Sequence, residues 1–237
     1  NFRFWFDGER AHVIATDLDH SIVVSTPVSG EKPFDVAVNA RKVFEITKEL
    51  PDGDVMVNVD ENVFVLESVK GFSCKISSSD AKDFPGFPDV EAKQKFTTSV
   101  AHFGEMVSKS SFAVSKDESR ACLCGVLWEV DTSRHAMVAT DGHRLGNCAV
   151  YEDTGVVEKV SAIISPKSLV HLVRIVGPGA PDRRLDVTIG EKYVTFATER
   201  MQLFSKLIDG PYPDYRKVIP GNNPRKAVVE RTALMEA

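Results

Sequence analysis

The sequence predicts an α+β fold made of repeated domains, each built from two strand–helix–three-strand units. The first evidence for repeated domains is an internal duplication, in which Ala15-Thr16-Asp17 recurs as Ala139-Thr140-Asp141. Two later landmarks recur in the same order: 40–44 is answered by 165–169, and 84–87 by 212–215. The period is far longer than the roughly 20 to 50 residues of a solenoid repeat, so a whole domain has been duplicated.

Composition restricts the class of protein. The chain has 237 residues, of which 43% are hydrophobic and 27% charged, as in ordinary globular domains. A net charge of −5 argues against wrapping nucleic acid with the whole surface, although a local basic face is compatible with it. No apolar run approaches the roughly 18 residues of a membrane span. We therefore expect a cytoplasmic protein without a membrane partner, its cysteines reduced; they are Cys74, Cys122, Cys124 and Cys148.

The second repeat shows the first unit of the pattern. A strand at 96–100 precedes a helix at 102–110, where Phe103, Met106 and Val107 have helical spacing. Three strands follow at 125–130, 136–140 and 145–150. Asp141-Gly142 is a tight-turn dipeptide, so the last two strands are predicted to form a hairpin.

The same pattern then restarts. A strand at 161–164 leads to a helix at 167–176, introduced by Ser165 as N-cap and Pro166 at the first helical position. Gly177-Pro178-Gly179 is predicted to end this helix. The remaining strands are predicted at 186–189, 193–197 and 202–208.

The first repeat carries one complete unit and part of another. Its residues 1–6 alternate as in a strand, and a strand at 35–38 leads to a helix at 40–50 and strands at 55–59, 63–68 and 72–76. Residues 225–237 are predicted as the opening strand and helix of a third copy, the helix having no cap. We expect a first domain at 1–92, a second at 93–219 and the start of a third at 220–237. Both ends are then truncated.

Several segments together identify a family. In the second repeat they are 112–120, 124–127, 138–145, 206–210 and 212–220; in the first they are 15–18 and 40–42. The order of these segments and the residues within them resemble those of the bacterial replicative sliding clamp family, the beta subunit of DNA polymerase III. The resemblance implies the DNA clamp (processivity) fold, in which three-domain subunits pair head to tail around duplex DNA, with helices lining the hole.

The resemblance also implies a function. The protein would be a processivity factor for DNA replication, without catalytic residues or a cofactor. Its partners would be duplex DNA, bound topologically and independently of sequence, the replicative polymerase catalytic subunit, the clamp loader, and repair or translesion polymerases. The full-length protein would be a homodimer ring. The present chain, which lacks most of a third domain, is expected to be a monomer that binds DNA weakly.

Basic side chains on two helices are the candidate DNA contacts. In the helix after Pro166, the polar positions Lys167, His171 and Arg174 lie on one stripe opposite apolar positions. The candidates on the matching helix of the first repeat are Arg41, Lys42 and Lys48. Such faces suit weak phosphate contacts that let DNA slide. A merely solvated helix face is the alternative.

The family's partner-peptide cleft gives the second set of candidates. The matching residues are Arg120, Leu123, Thr140, Gly142, His143, Arg144, Leu145, Pro213, Lys217 and Val218. Apolar members would form a floor for a leucine or phenylalanine of the partner, Gly142 would admit its backbone, and the cations would meet its polar groups. Lys217 stands where the family commonly has arginine, which weakens the expectation of a bidentate contact. A simple hairpin turn with a surface imidazole is the alternative for 141–144.

Two other classes of function remain open. An enzyme would pair His143 with Asp141 as base and orienting group, or with a cysteine nucleophile. Side chains two positions apart in a tight turn need not face each other, and no serine elbow, P-loop or metal-ligand spacing is present. We therefore expect no catalysis and no bound metal. A β-rich interaction module unrelated to DNA would use the same cleft to recruit partners.

Overall fold

Strands predominate in the computed structural model, which describes residues 1–177, 183–221 and 223–237. The first domain contains β1 (Phe2–Phe6), β2 (Arg10–Thr16), β3 (His20–Pro27), β4 (Phe34–Val38), α1 (Ala40–Glu49), β5 (Val55–Asp60), β6 (Val63–Ser68) and β7 (Ser73–Asp80). This is three strands followed by a complete strand–helix–three-strand unit, as predicted. Asn39 caps α1 by accepting a hydrogen bond from the Lys42 backbone N–H.

The second domain contains both predicted units. Its elements are β8 (Ala92–Ser99), α2 (Val100–Ser110), β9 (Val126–Val130), β10 (Arg134–Thr140), β11 (Leu145–Tyr151), β12 (Val160–Ile164), α3 (Pro166–Val176), β13 (Arg184–Gly190), β14 (Tyr193–Ala197) and β15 (Met201–Lys206). Pro166 stands in the first turn of α3 as predicted, but the Ser165 side chain makes no capping hydrogen bond. Gly177 ends α3 with a φ of 68°, whereas Pro178 and Gly179 lie outside the described residues.

Short 3₁₀ segments connect these elements. They are Ala81–Asp83, Ser111–Ala113, Glu118–Cys124 and Tyr215–Val218. The last two segments contain four of the predicted cleft residues: Arg120, Leu123, Lys217 and Val218.

The tail differs from its prediction. Within 223–237 the structure contains α4 (Arg231–Glu236) but no strand. Val228 and Val229 are both exposed, and a strand is stable only when its backbone groups are paired. The expectation of an uncapped helix was also wrong, because the Glu230 carboxylate accepts a hydrogen bond from the Ala233 N–H at 2.8 Å.

The strands of the described residues form two antiparallel sheets. One sheet has 11 strands in the order β5-β6-β7-β4-β1-β2-β3-β15-β14-β13-β8, and the other has 4 in the order β11-β10-β9-β12. The two units of the second domain exchange their opening strands, since β8 pairs with β13 and β12 with β9. The two domains share one sheet, because β3 pairs with β15.

Helices α2 and α3 pack together and cover the core of the second domain. Trp128 lies at its centre, with ring centroids 5.6 Å from Phe103 and 6.1 Å from Phe196. All three side chains are fully buried, and truncating one such aromatic residue typically costs about 3–5 kcal/mol. This core fixes the strands that carry the site residues. The first domain has its own, smaller core around Phe64 and Leu66.

Candidate partner-binding site and basic helix faces

The turn between β10 and β11, residues 140–145, is held by its own side chains and is called the Thr140 turn below. The Thr140 hydroxyl donates to the Arg144 carbonyl at 2.7 Å and accepts from the Gly142 N–H at 3.1 Å. One oxygen of Asp141 accepts from the N–H groups of His143 at 2.9 Å and Arg144 at 3.0 Å. Gly142 has a φ of 92°, a region that favours glycine. The sequence therefore specifies a rigid turn.

Two guanidinium groups border this turn. Arg144 Nε lies 3.1 Å from Asp141 Oδ2, and the Arg144 guanidinium carbon lies 5.8 Å from the centre of the Phe112 ring. Arg120 Nη1 is 3.8 Å from the point that a Cβ on Gly142 would occupy. Hydrogen bonds from the backbone N–H groups of Arg144 and His143 lower the pKa of Asp141 to about 2. The carboxylate is therefore ionised at neutral pH.

The turn does not form a catalytic pair. The Asp141 carboxylate binds the backbone of His143, and no hydrogen bond joins it to the imidazole. His143 is exposed. The base-and-orienter arrangement considered from the sequence is not formed.

Leu145 connects the Thr140 turn to an apolar cluster on the outer face of the small sheet. The buried members of this cluster are Leu127, Val138, Ile163 and Tyr215; Leu145 packs on them with Cys122, Ile208 and Tyr212. The Tyr212 hydroxyl accepts a hydrogen bond from the Thr140 N–H at 3.2 Å. Burial raises the pKa of Tyr212 to about 12, although this hydrogen bond opposes the rise. Of the apolar residues predicted for the cleft floor, Leu145 belongs to this cluster.

The other predicted cleft residues are placed differently. Leu123 is 5% exposed, so its side chain is mostly closed to a ligand. Pro213 is exposed and lines a pocket of about 460 Å³ beside the segment 207–216. Lys217 Nζ lies 3.5 Å from Asp214 Oδ2, and Val218 is 69% exposed.

Glu129 attaches the segment 212–216 to the sheet. Its Oε2 accepts from the Tyr215 hydroxyl at 2.7 Å and from the Arg216 guanidinium, while Lys159 Nζ lies 3.2 Å from its Oε1. Burial tends to raise the pKa of Glu129, but the bonds from Arg216, Tyr215 and Lys159 outweigh it and lower the pKa to about 2. Sequence reasoning missed Glu129 and Tyr212, although an acidic residue inside the apolar run 125–130 was a usable signal.

The basic stripe of α3 is exposed as predicted, but its three members differ. Lys167 Nζ lies 2.8 Å from Asp17 Oδ2 in the first domain. In the part of the chain that the structure describes, neither the His171 nor the Arg174 side chain forms a hydrogen bond or ion pair, which leaves Arg174 as the open cation of this stripe.

The matching stripe on α1 is partly neutralised. Arg41 Nε lies 2.9 Å from Glu45 Oε1, and Lys48 Nζ lies 5.4 Å from the centre of the exposed Phe44 ring. Lys42 is exposed, and among the described residues its side chain makes no ion pair.

Within the described ranges, no helix is long and apolar enough to span a membrane. The same ranges contain no group of three metal-ligating side chains.

The known proteins and family models that this chain resembles belong to one family. Two family models match: "DNA polymerase III beta subunit, N-terminal domain" over residues 6–88 and "DNA polymerase III beta subunit, central domain" over residues 97–214. The beta sliding clamp of Pseudomonas aeruginosa is 27% identical over 98% of this chain and 63% of its own length. That of Escherichia coli strain K12 is 32% identical over 87% of this chain and 56% of its own length. The chain thus spans less than two thirds of these relatives.

Solved structures agree in fold. A Pseudomonas aeruginosa sliding clamp (DNA polymerase III subunit beta) bound to griselimycin has a TM-score of 0.92 at 27% identity and covers all of this chain, which in turn covers 64% of that protein. A Bacillus subtilis sliding clamp has a TM-score of 0.84 at 28% identity, over 93% of this chain and 60% of that protein. The predicted α+β clamp fold is confirmed. The chain belongs to the DNA polymerase III beta subunit family.

Proposed function

We propose that the protein is a DNA sliding clamp, a processivity factor of the cytoplasm that has no catalytic activity of its own. It would encircle duplex DNA as part of a homodimeric ring and bind it topologically, independently of sequence. Short peptide segments of the replicative polymerase, the clamp loader and repair or translesion polymerases would dock at the Thr140 turn. Family membership supports the clamp assignment.

The observation that carries the docking proposal is the Thr140 turn itself. It combines a glycine with a φ of 92°, a flanking apolar cluster around Leu145, and the cations Arg120 and Arg144. An apolar surface with a charged border is what peptide anchors bind. We assign Leu145 and Tyr212 to the floor, and Pro213, Lys217 and Val218 to its border.

The DNA face is proposed from the helices. Helices α2 and α3 pack side by side, and α3 presents Arg174 and His171 outward. A few phosphate contacts of this kind hold DNA weakly and without sequence preference.

The experiment is primer extension on singly primed circular DNA by the polymerase catalytic subunit with its clamp loader. We expect long products when a version of the protein extended to the length of its relatives is added. The same version should give short products with Leu145→Ala and long products with Val157→Ala, an exposed control away from the turn. The protein alone should show no hydrolase, nuclease or nucleotidyl-transfer activity. Product lengths that do not respond to the protein would contradict the clamp proposal.

A further inference from the structure

The turn between β2 and β3, residues 16–21, has three of the four hydrogen bonds described for the Thr140 turn and is called the Thr16 turn. The Thr16 hydroxyl donates to the His20 carbonyl at 3.1 Å and accepts from the Leu18 N–H at 3.0 Å. Asp17 Oδ1 accepts from the His20 N–H at 2.8 Å. Both repeats therefore have a similar turn scaffold, and they differ chiefly in the side chains that it presents.

Leu18 occupies the position that corresponds to Gly142. Its φ is 77°, close to the 92° of Gly142, and the left-handed region is energetically unfavourable for leucine because its Cβ crowds the backbone carbonyl. The side chain is 71% exposed, so burial does not offset that cost. Strained residues of this kind persist where the surrounding structure holds them and cluster at ligand-binding sites.

A cleft of about 230 Å³ opens beside Leu18, between the two domains. Its apolar walls are Leu18, Pro85, Phe87 and Pro88 from the first domain and Tyr193 and Phe204 from the second. Phe87 stacks on Phe204 with ring centroids 5.2 Å apart, yet remains 39% exposed. The cleft is large enough for roughly one bulky side chain and has walls from two domains, as ligand clefts commonly do.

The charge at this cleft is opposite to that at the Thr140 turn. Asp19, which corresponds to His143, lines the cleft, and its carboxylate accepts no hydrogen bond from the residues that the structure describes. The neighbouring Asp17 is already bound by Lys167 and His20. Asp19 therefore offers a carboxylate to a cation of a ligand, whereas Arg120 and Arg144 border the other turn.

We propose that this cleft is a second peptide-binding site, which takes an extended segment of a partner protein with a bulky apolar side chain next to lysine or arginine. The apolar side chain enters between Leu18, Phe87 and Tyr193, and the cation faces Asp19. The two turns then select partners by the charge beside the apolar residue. This proposal does not depend on DNA binding or on ring formation.

Two fluorescein-labelled hexapeptides with one Leu-Phe pair test it, one flanked by lysines and the other by glutamates. Fluorescence anisotropy is measured on a Leu145→Asp background, which blocks the Thr140 turn. We expect the lysine peptide to bind this background and to lose about tenfold in affinity with Leu18→Gly, the scale of one lost anchor contact. The fold should tolerate Leu18→Gly, because the second repeat has glycine at this position.

Asp19→Lys is the charge-reversal variant. We expect it to weaken the lysine peptide and to strengthen the glutamate peptide on the same background. If Leu145→Asp alone abolishes binding of both peptides, all binding takes place at the Thr140 turn, and the proposal is overturned. Affinities that Leu18→Gly and Asp19→Lys leave unchanged would also overturn it, and circular dichroism of each variant shows that it is folded.

Discussion

Lys167 Nζ lies 2.8 Å from Asp17 Oδ2, which joins the start of α3 in the second domain to the Thr16 turn of the first. The pair is about half exposed on both sides, and such exposed pairs contribute little to stability. Its main consequence is therefore for charge, because a cation expected on the DNA face is already neutralised within the protein.

Arg174→Ala and Lys167→Ala should affect DNA binding differently. Each phosphate contact that is lost reduces the slope of log K against log salt by about 0.9. We expect this reduction for Arg174→Ala and little change for Lys167→Ala, since Asp17 already balances that cation. The measurement is anisotropy of a labelled duplex at several salt concentrations. An equal reduction in both variants would show that Lys167 leaves Asp17 to bind DNA.

Glu129→Gln should loosen the segment 212–216. The change weakens the bonds from Tyr215, Arg216 and Lys159, and a buried group left without its partner costs about 1–3 kcal/mol. We expect a loss of that size in urea unfolding at pH 7, with Tyr215→Phe giving a smaller loss. A Glu129→Gln variant as stable as the parent would contradict this role.

The Glu129 carboxylate should also make the free energy of unfolding sensitive to acid. The pKa of Glu129 is about 2 in the folded protein, below its ordinary 4.5. A lowered pKa means that the stabilisation is fully present above about pH 4.5 and is lost as the pH falls towards 2. The free energy of unfolding of the parent should therefore fall across this window. Glu129→Gln should show a smaller fall, measured by urea titration at several pH values.

His135 should make the free energy of unfolding depend on pH in a higher range than Glu129 does. Burial lowers the pKa of His135 below its ordinary 6.5, although Glu152, whose Oε2 lies 3.4 Å from Nε2, opposes the shift. The folded state therefore favours neutral His135, so its contribution is present above pH 6.5 and is lost as the pH falls. We expect His135→Leu to reduce the loss of stability that develops as the pH falls below 6.5. A His135→Leu variant that loses as much stability as the parent over this range would contradict the prediction.

Leu145→Ala and Leu123→Ala should separate binding from stability. Leu145 is partly exposed beside the Thr140 turn, so its truncation should cost about 1–3 kcal/mol of peptide affinity. Leu123 is 5% exposed, and its truncation should chiefly lower the free energy of unfolding, by about 2–5 kcal/mol. Calorimetric titration and urea unfolding of both variants check this. Unchanged affinity with Leu145→Ala would place the peptide site elsewhere.

The sequence predicted the repeating elements because hydrophobic period and turn residues are local properties of the chain. The helix at α3 and its exposed basic stripe followed from residue spacing, and the hairpin at Asp141-Gly142 followed from its turn residues. The tail shows the limit of this reasoning. Val228 and Val229 have strand-forming side chains, but a strand also needs a partner edge, and within the described residues none pairs with them.

The sites were decided by contacts between distant parts of the chain. Tyr212 reaches Thr140, Tyr215 reaches Glu129, and Lys167 reaches Asp17 across 150 positions. The cleft beside Leu18 exists because β3 pairs with β15, which brings Tyr193 and Phe204 against the Thr16 turn. Periodicity determines which face of an element is apolar, whereas packing of the two domains determines which cations stay open and which apolar side chains line a cleft.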